Sequence, residues 1–257
     1  MRFRLTALGL HLLASACVLT LVLGVLYLGW YRWPGWYLAN VSNVVWVLAC
    51  VDVALGPLLT FVVAAPGKPR RELKRDIGII ATVQIVALLY GAWTLWNGRP
   101  LYYAFSENVL QIVQSYDIEA PERALGLAQN PSLTPHWYSR PRWIWAPLPE
   151  DAAERTRIMT SAIMGGSDVV AMPRYYRPWA AGAQALRSQL KRPEELKRFF
   201  ALADLRSIEA RMHSLGLATD QPNSIVLLGR GTRMLAVFDP ASLTLLALLA
   251  TPLPSIK

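Results

Sequence analysis

The stretch VVWVLACVDVALGPLLTFVVAA, residues 44–65, decides the architecture. Its length matches the roughly 20 apolar residues that carry a helix across a bilayer. Its one charged side chain, Asp52, lies near the middle. A carboxylate there costs roughly 2.5 to 3.5 kcal/mol on insertion scales, and a polar partner or a proton lowers that cost. Such a residue is usually kept for a purpose. Gly56-Pro57 follows one turn later. Proline removes a helical donor and clashes with the turn before it, so a kink or an opened backbone is expected beside the acid.

Two similar stretches flank this one. Between Arg4 and Arg32 lie 27 residues without Asp, Glu, Lys or Arg, and the 22 residues from Ile77 to Gly98 are polar only at Thr82, Gln84, Thr94 and Asn97. Three membrane helices are predicted, at about 5–30, 43–65 and 77–97, in a transmembrane domain of residues 1–98. Arg2, Arg4 and Ala14-Ser15-Ala16-Cys17 imitate a cleaved signal. The apolar run nevertheless continues unbroken to Trp30, so an uncut anchor is expected. The N-terminus and the second loop hold seven basic residues (Arg2, Arg4, Lys68, Arg70, Arg71, Lys74, Arg75), while the first loop holds only Arg32. The positive-inside rule then places the N-terminus in the cytoplasm and residues 99–257 outside it. Tyr31, Trp33, Trp36, Tyr37, Trp93, Trp96, Tyr102 and Tyr103 read as an aromatic belt at the outer face.

The net charge of +9 does not point to nucleic acid. Residues 1–97 carry eight basic against three acidic side chains, an excess that sets topology, and the 18 against 14 of residues 98–257 form no dense run. Cys17 and Cys50 both fall inside predicted membrane helices, where they read as small apolar fillers.

The exported part reads as an α+β domain. Leu101–Phe105 and Val109–Val113 flank a Ser-Glu-Asn turn, a hairpin signal. Residues 117–149, with six prolines, are expected to be irregular apart from one short helix after Pro121, with Trp137, Tyr138, Trp143 and Trp145 either packing on the domain or meeting a partner. Helices are expected at Glu150–Met164, at Ala180–Leu190 and continuously from Pro193 to Leu215. Strands follow at Ser224–Leu228, Met234–Phe238 and Leu243–Ala250, with Gly229-Arg230-Gly231 as a hairpin turn.

No catalytic constellation is evident. His11, His136 and His213 show no metal-ligand spacing, Gly229-Arg230-Gly231 lacks the context of a dinucleotide loop, and no Gly-x-Ser-x-Gly is present. No enzyme activity, cofactor or metal is expected. Attention returns to Asp52, whose candidate internal partners are Gln84, Thr82 and Thr20. It either ties the three helices together or, beside the kink, shapes a docking surface.

Asp52 with Leu55-Gly56-Pro57-Leu58-Leu59-Thr60, Leu73-Lys74-Arg75-Asp76 leading to Gln84 and Tyr90-Gly91, and Arg99-Pro100-x-Tyr102 resemble the TfpX/TfpZ family of type IV pilin accessory proteins. Gly165-Gly166-x-Asp168, Met172-Pro173-Arg174-Tyr175-Tyr176 and Val237-Phe238-Asp239-Pro240 look like the same family further along. The resemblance implies a multi-pass protein of the bacterial inner membrane with a periplasmic α+β domain. It implies a pilin-specific chaperone of pilus biogenesis whose partners are the major pilin, other inner-membrane assembly components and the lipid bilayer. Asp52, Gly56, Pro57, Thr60, Gln84, Tyr90 and Arg99 form the candidate pilin-binding or intramembrane polar site. A membrane-anchored ligand-binding or sensor module is the alternative, although the loop 67–75 and the N-terminal residues leave little chain for a cytoplasmic output domain.

Overall fold

A computed structural model describes residues 1–65 and 67–250; residues 251–257, the end of the domain assigned to 99–257, lie outside the described residues. The chain divides into two compact units, Met1–Arg32 with Val41–Gly98, and Trp33–Asn40 with the chain from Arg99 onward.

The first unit contains α1 (Arg2–Tyr31), α2 (Ser42–Val63) and α3 (Arg70–Asn97), each long and apolar enough to cross a membrane. Its polarity is inverted relative to a water-soluble bundle. Leu10, Leu13, Leu21, Trp46, Val62, Val83 and Leu89 face outward, whereas Asp52, Thr60 and Gln84 are buried. α3 begins seven residues before the predicted 77, directly after Pro69, because Arg70 to Asp76 continue the helix beyond its apolar window. Arg4 Nε donates to the Ala64 carbonyl at 3.2 Å, which joins the start of α1 to the end of α2. At the other end Tyr31 Oη donates to the Leu95 carbonyl at 2.6 Å, and Trp30 packs edge-on to Trp96 at 5.0 Å. The three helices therefore alternate in direction. α2 and α3 approach closely at Gly91, where an added Cβ would lie 2.8 Å from Leu48 Cδ1.

The second unit is a seven-stranded mixed sheet of order β4-β3-β1-β2-β5-β6-β7. Its strands are β1 (Pro100–Ser106), β2 (Val109–Gln114), β3 (Arg142–Trp145), β4 (Arg177–Pro178), β5 (Ser224–Leu228), β6 (Arg233–Phe238) and β7 (Leu245–Ala250). β1 pairs with β3, and β2 with β5, in parallel; the other pairs are antiparallel. The helices are α4 (Ala120–Gln129), α5 (Ala152–Ile163), α6 (Ala183–Gln189) and α7 (Leu202–Ser214). The central strands are apolar throughout because both faces are covered. Tyr103, Phe105, Ile225, Leu227, Met234 and Phe238 pack on one face with Leu186 and Leu190 from the α6 region. On the other, Tyr102, Ala104 and Ile144 meet Ile158 of α5 and Tyr176, while Val226, Leu235 and Val237 meet Leu205, Ile208 and Met212 of α7.

The Met172–Tyr176 stretch anchors this packing. Asn130 Nδ2 donates to the Pro173 and Arg174 carbonyls at 3.1 and 2.9 Å. Arg174 faces Glu122 of α4 at 3.4 Å and Glu154 of α5 at 3.7 Å. Arg230 of the β5–β6 turn donates through Nε to Gln114 Oε1 at 2.7 Å and pairs with Asp117.

Three expectations need correction, and one contact was not anticipated. Residues 142–145, read as irregular, form the interior strand β3, with Trp143 against Tyr103 at 4.9 Å and against Trp179 at 5.4 Å. The helix expected from Pro193 to Leu215 is two pieces, a single 3₁₀ turn Pro193–Leu196 and then α7, which restarts after extended Ala201. Tyr102 and Tyr103 belong to the sheet core and not to an aromatic belt. Leu38, in the loop between α1 and α2, is fully buried in that same core, and its carbonyl accepts from Arg230 N at 2.7 Å.

Candidate functional site

Asp52, Gly56 and Thr60 lie four residues apart and so share one face of α2. The backbone along this face departs from the α pattern. Residues Cys50–Leu55 form a π-helical turn in which Gly56 N–H donates to the Val51 carbonyl, one residue further back than in an α-helix. The Asp52 carbonyl thereby loses its α-helical donor, and Pro57 has no N–H to replace it. Gln84 of α3 supplies the donor instead, Nε2 to the Asp52 carbonyl at 3.0 Å. The amide reaches that far because residue 56 is glycine; a Cβ there would overlap the Gln84 amide.

This contact orders the rest of the cluster. With Nε2 of Gln84 turned to a carbonyl, its Oε1 must accept, and it faces His11 Nε2 of α1 at 2.7 Å. His11 Nε2 therefore carries a proton. His11 Nδ1 lies 2.5 Å from Thr60 Oγ1 and completes a link between all three helices. Such a network fixes relative rotation as well as adding stability, since each member has one compatible orientation.

The Asp52 carboxylate itself is not part of the link. It is 4% exposed, and its Oδ2 is buried with no hydrogen-bond partner among the described residues. It lines a cavity of about 150 Å³ between α1 and α3, together with His11, Gln84, Ser15, Ala81 and neighbouring apolar side chains.

Of the sequence-derived candidates, Asp52, Gly56, Pro57, Thr60 and Gln84 are thus brought together and buried. Tyr90 is not among them: it is largely exposed on α3, beside Trp93 at 6.1 Å. Arg99 is buried in the other unit. Thr82 donates to the Gly78 carbonyl of its own helix, and Thr20 is exposed. The residue missed is His11. The signal was present, since it is the one imidazole inside the first apolar stretch, but its spacing to other residues fits no metal site and a polar link between helices leaves no pattern along a single chain segment. Among the described residues no group of three or more His, Cys, Asp or Glu side chains converges as a metal site would.

An apolar-surfaced three-helix unit with one buried polar cluster, followed by a mixed α/β domain, defines a membrane-associated protein. Over 186 residues, covering 71% of this chain and 70% of the relative, it is 25% identical to the fimbrial assembly protein of serogroup I of Dichelobacter nodosus. The serogroup E1 protein of the same organism matches with the same identity and coverage. The fimbrial assembly protein of serogroups C1 and C2 is 30% identical over 110 residues, 84% of its own length and 43% of this chain. The chain belongs to this fimbrial assembly family. No family model matches it. No solved structure matches it either.

Proposed function

We propose that this protein is an inner-membrane accessory of type IV pilus biogenesis, of the TfpX/TfpZ kind, that binds its cognate major pilin and stabilises it or promotes its assembly. The likeness to fimbrial assembly proteins over 186 residues carries this reading. The architecture agrees with it. Three apolar helices offer a surface to a client helix in the bilayer, and a separate folded unit offers one to a client's globular head. The basic residues of the α1 start and the α2–α3 loop favour a cytoplasmic N-terminus and a periplasmic sheet domain. The protein acts without catalysis, through contacts with pilin, with lipid and with neighbouring assembly components.

Deleting the gene and measuring pilin abundance and surface pili tests this directly. Fewer pili, restored by the wild-type gene, are expected, together with recovery of pilin when the tagged full chain is purified from membranes. Normal pilin levels and normal piliation in the deletion strain would reject the reading.

A further inference from the structure

The cavity beside Asp52 has features that the inter-helix link does not need. The His11–Gln84–Thr60 network closes without the carboxylate, yet the carboxylate is buried with Oδ2 unpartnered among the described residues. Of the polar side chains around the cavity, Gln84 Nε2 is committed to the Asp52 carbonyl and His11 to Gln84 and Thr60, while the Ser15 hydroxyl lines the cavity without bonding Asp52 Oδ2. An unpaired buried acceptor is costly, and a carboxylate more so. Asp52 is the eleventh of the 22 residues of α2. With α2 spanning a bilayer, neither bulk water nor a lipid headgroup reaches that depth, and acyl chains have no donor.

The cavity's size and rim narrow the occupant. About 150 Å³ accommodates one side chain or a ring-sized group and is far too small for a helix. Ala14, Val18 and Ile85 at its edge are exposed on the outer surface of the unit, so it opens sideways into the surroundings of the helices. Ala14, Ser15 and Ala81 are small, which lets another backbone come close.

We infer that this cavity is a receptor for a single hydrogen-bond-donating group, a hydroxyl or an amine, projected by the membrane-embedded helix of the client pilin. The helix lies across the α1–α3 face, and its donor satisfies Asp52 Oδ2. The inference rests on the accessory reading and adds to it where contact is made. Gly56, Pro57 and Thr60 are buried within the unit and shape the site from behind, positioning Gln84 and Asp52 without touching the client.

The test uses the full-length protein co-expressed with its pilin. Ala81→Trp fills the cavity from α3, and Asp52→Leu removes the acceptor. Each is expected to lower pilin recovery roughly tenfold, the scale of one interhelical hydrogen bond with its packing. Val86→Trp, at a residue exposed on α3 away from the cavity lining, leaves recovery unchanged. A photo-crosslinking residue at exposed Val18, in an otherwise wild-type chain, captures the pilin helix, whereas one at exposed Val47 of α2 does not. Undiminished recovery with Ala81→Trp, or capture of a second copy of this chain from Val18, overturns the inference. Both results leave the accessory function standing so long as the wild type recovers pilin. A wild type that recovers none rejects that function and the receptor together.

Discussion

At the scale of single residues, Gly56 controls whether Asp52 and Gln84 can meet. Its missing side chain is the space that the Gln84 amide occupies, so Gly56→Ala drives that amide off the Asp52 carbonyl and breaks its bond to His11. Loss of one or two buried hydrogen bonds implies a destabilisation of about 1–3 kcal/mol, measured as unfolding of the full chain in detergent. The double variant with Gln84→Ala is the decisive measurement. Once the colliding amide is gone, Gly56→Ala adds little to the cost of Gln84→Ala alone. Additive costs reject the collision. Tyr176 poses a different single-residue question. Its hydroxyl donates to the Val170 carbonyl, its ring packs edge-on to Tyr102 at 4.9 Å, and burial pushes the phenol well above its ordinary value. A phenol raised on folding contributes stability that is complete below about pH 10, where the unfolded tyrosine titrates, and that is lost as pH rises towards the folded value. The stability gap between wild type and Tyr176→Phe therefore narrows as thermal unfolding is followed from pH 8 to pH 11. A constant gap rules out this linkage.

At the scale of elements, regularity decided what the sequence disclosed. The three long helices were legible because their apolar runs are long, and the hairpin β1–β2 because its turn residues sit between β-rich runs. β3 was not legible, since Arg142–Trp145 is four residues long and stands among prolines that ordinarily mark irregular chain. The break before α7 was hidden for another reason. Leu196, Phe200, Leu205, Ile208 and Met212 are all buried, so a helical period seems to run through a gap that tertiary packing bridges. Nothing at the restart announces it, because Ala201 takes the extended N-cap conformation without a side chain able to accept from the first turn. That absence is testable. Ala201→Ser, at an exposed position, supplies an acceptor for the N–H of Ala203 or Asp204 and is expected to stabilise the sheet unit by about 1 kcal/mol. Thermal unfolding of the full-length variant measures it, and an unchanged or lower midpoint contradicts the assignment of Ala201 as an uncapped start.

At the scale of the molecule, sequence order and spatial grouping diverge in one place. The loop 33–40 lies between two membrane-type helices, where its Trp and Tyr residues suggested an interfacial belt. It is grouped with the sheet unit, and fully buried Leu38 contributes to that unit's core. Periodicity cannot reveal this, because a four-residue turn, Gly35–Leu38, has too few positions to show a buried face. The candidate site was legible on α2, where the acid and the Gly-Pro pair are local anomalies, and illegible on α1, where His11 acquires meaning only through Thr60 and Gln84. Orientation is the remaining property of the whole chain. The contact between Arg4 and Ala64 puts the N-terminus and the α2–α3 loop at the same end of the first unit, so all seven topogenic basic residues act in one direction. The proposed orientation then makes a paired prediction. Alkaline phosphatase, active only outside the cytoplasm, is active when fused to the C-terminus and silent when inserted at exposed Gly67. Replacing Arg70, Arg71, Lys74 and Arg75 with glutamine removes most of the bias and raises activity at Gly67 at the expense of the C-terminal fusion. Activity at Gly67 in the wild-type chain would reverse the orientation and place the sheet domain in the cytoplasm, away from any exported pilin head.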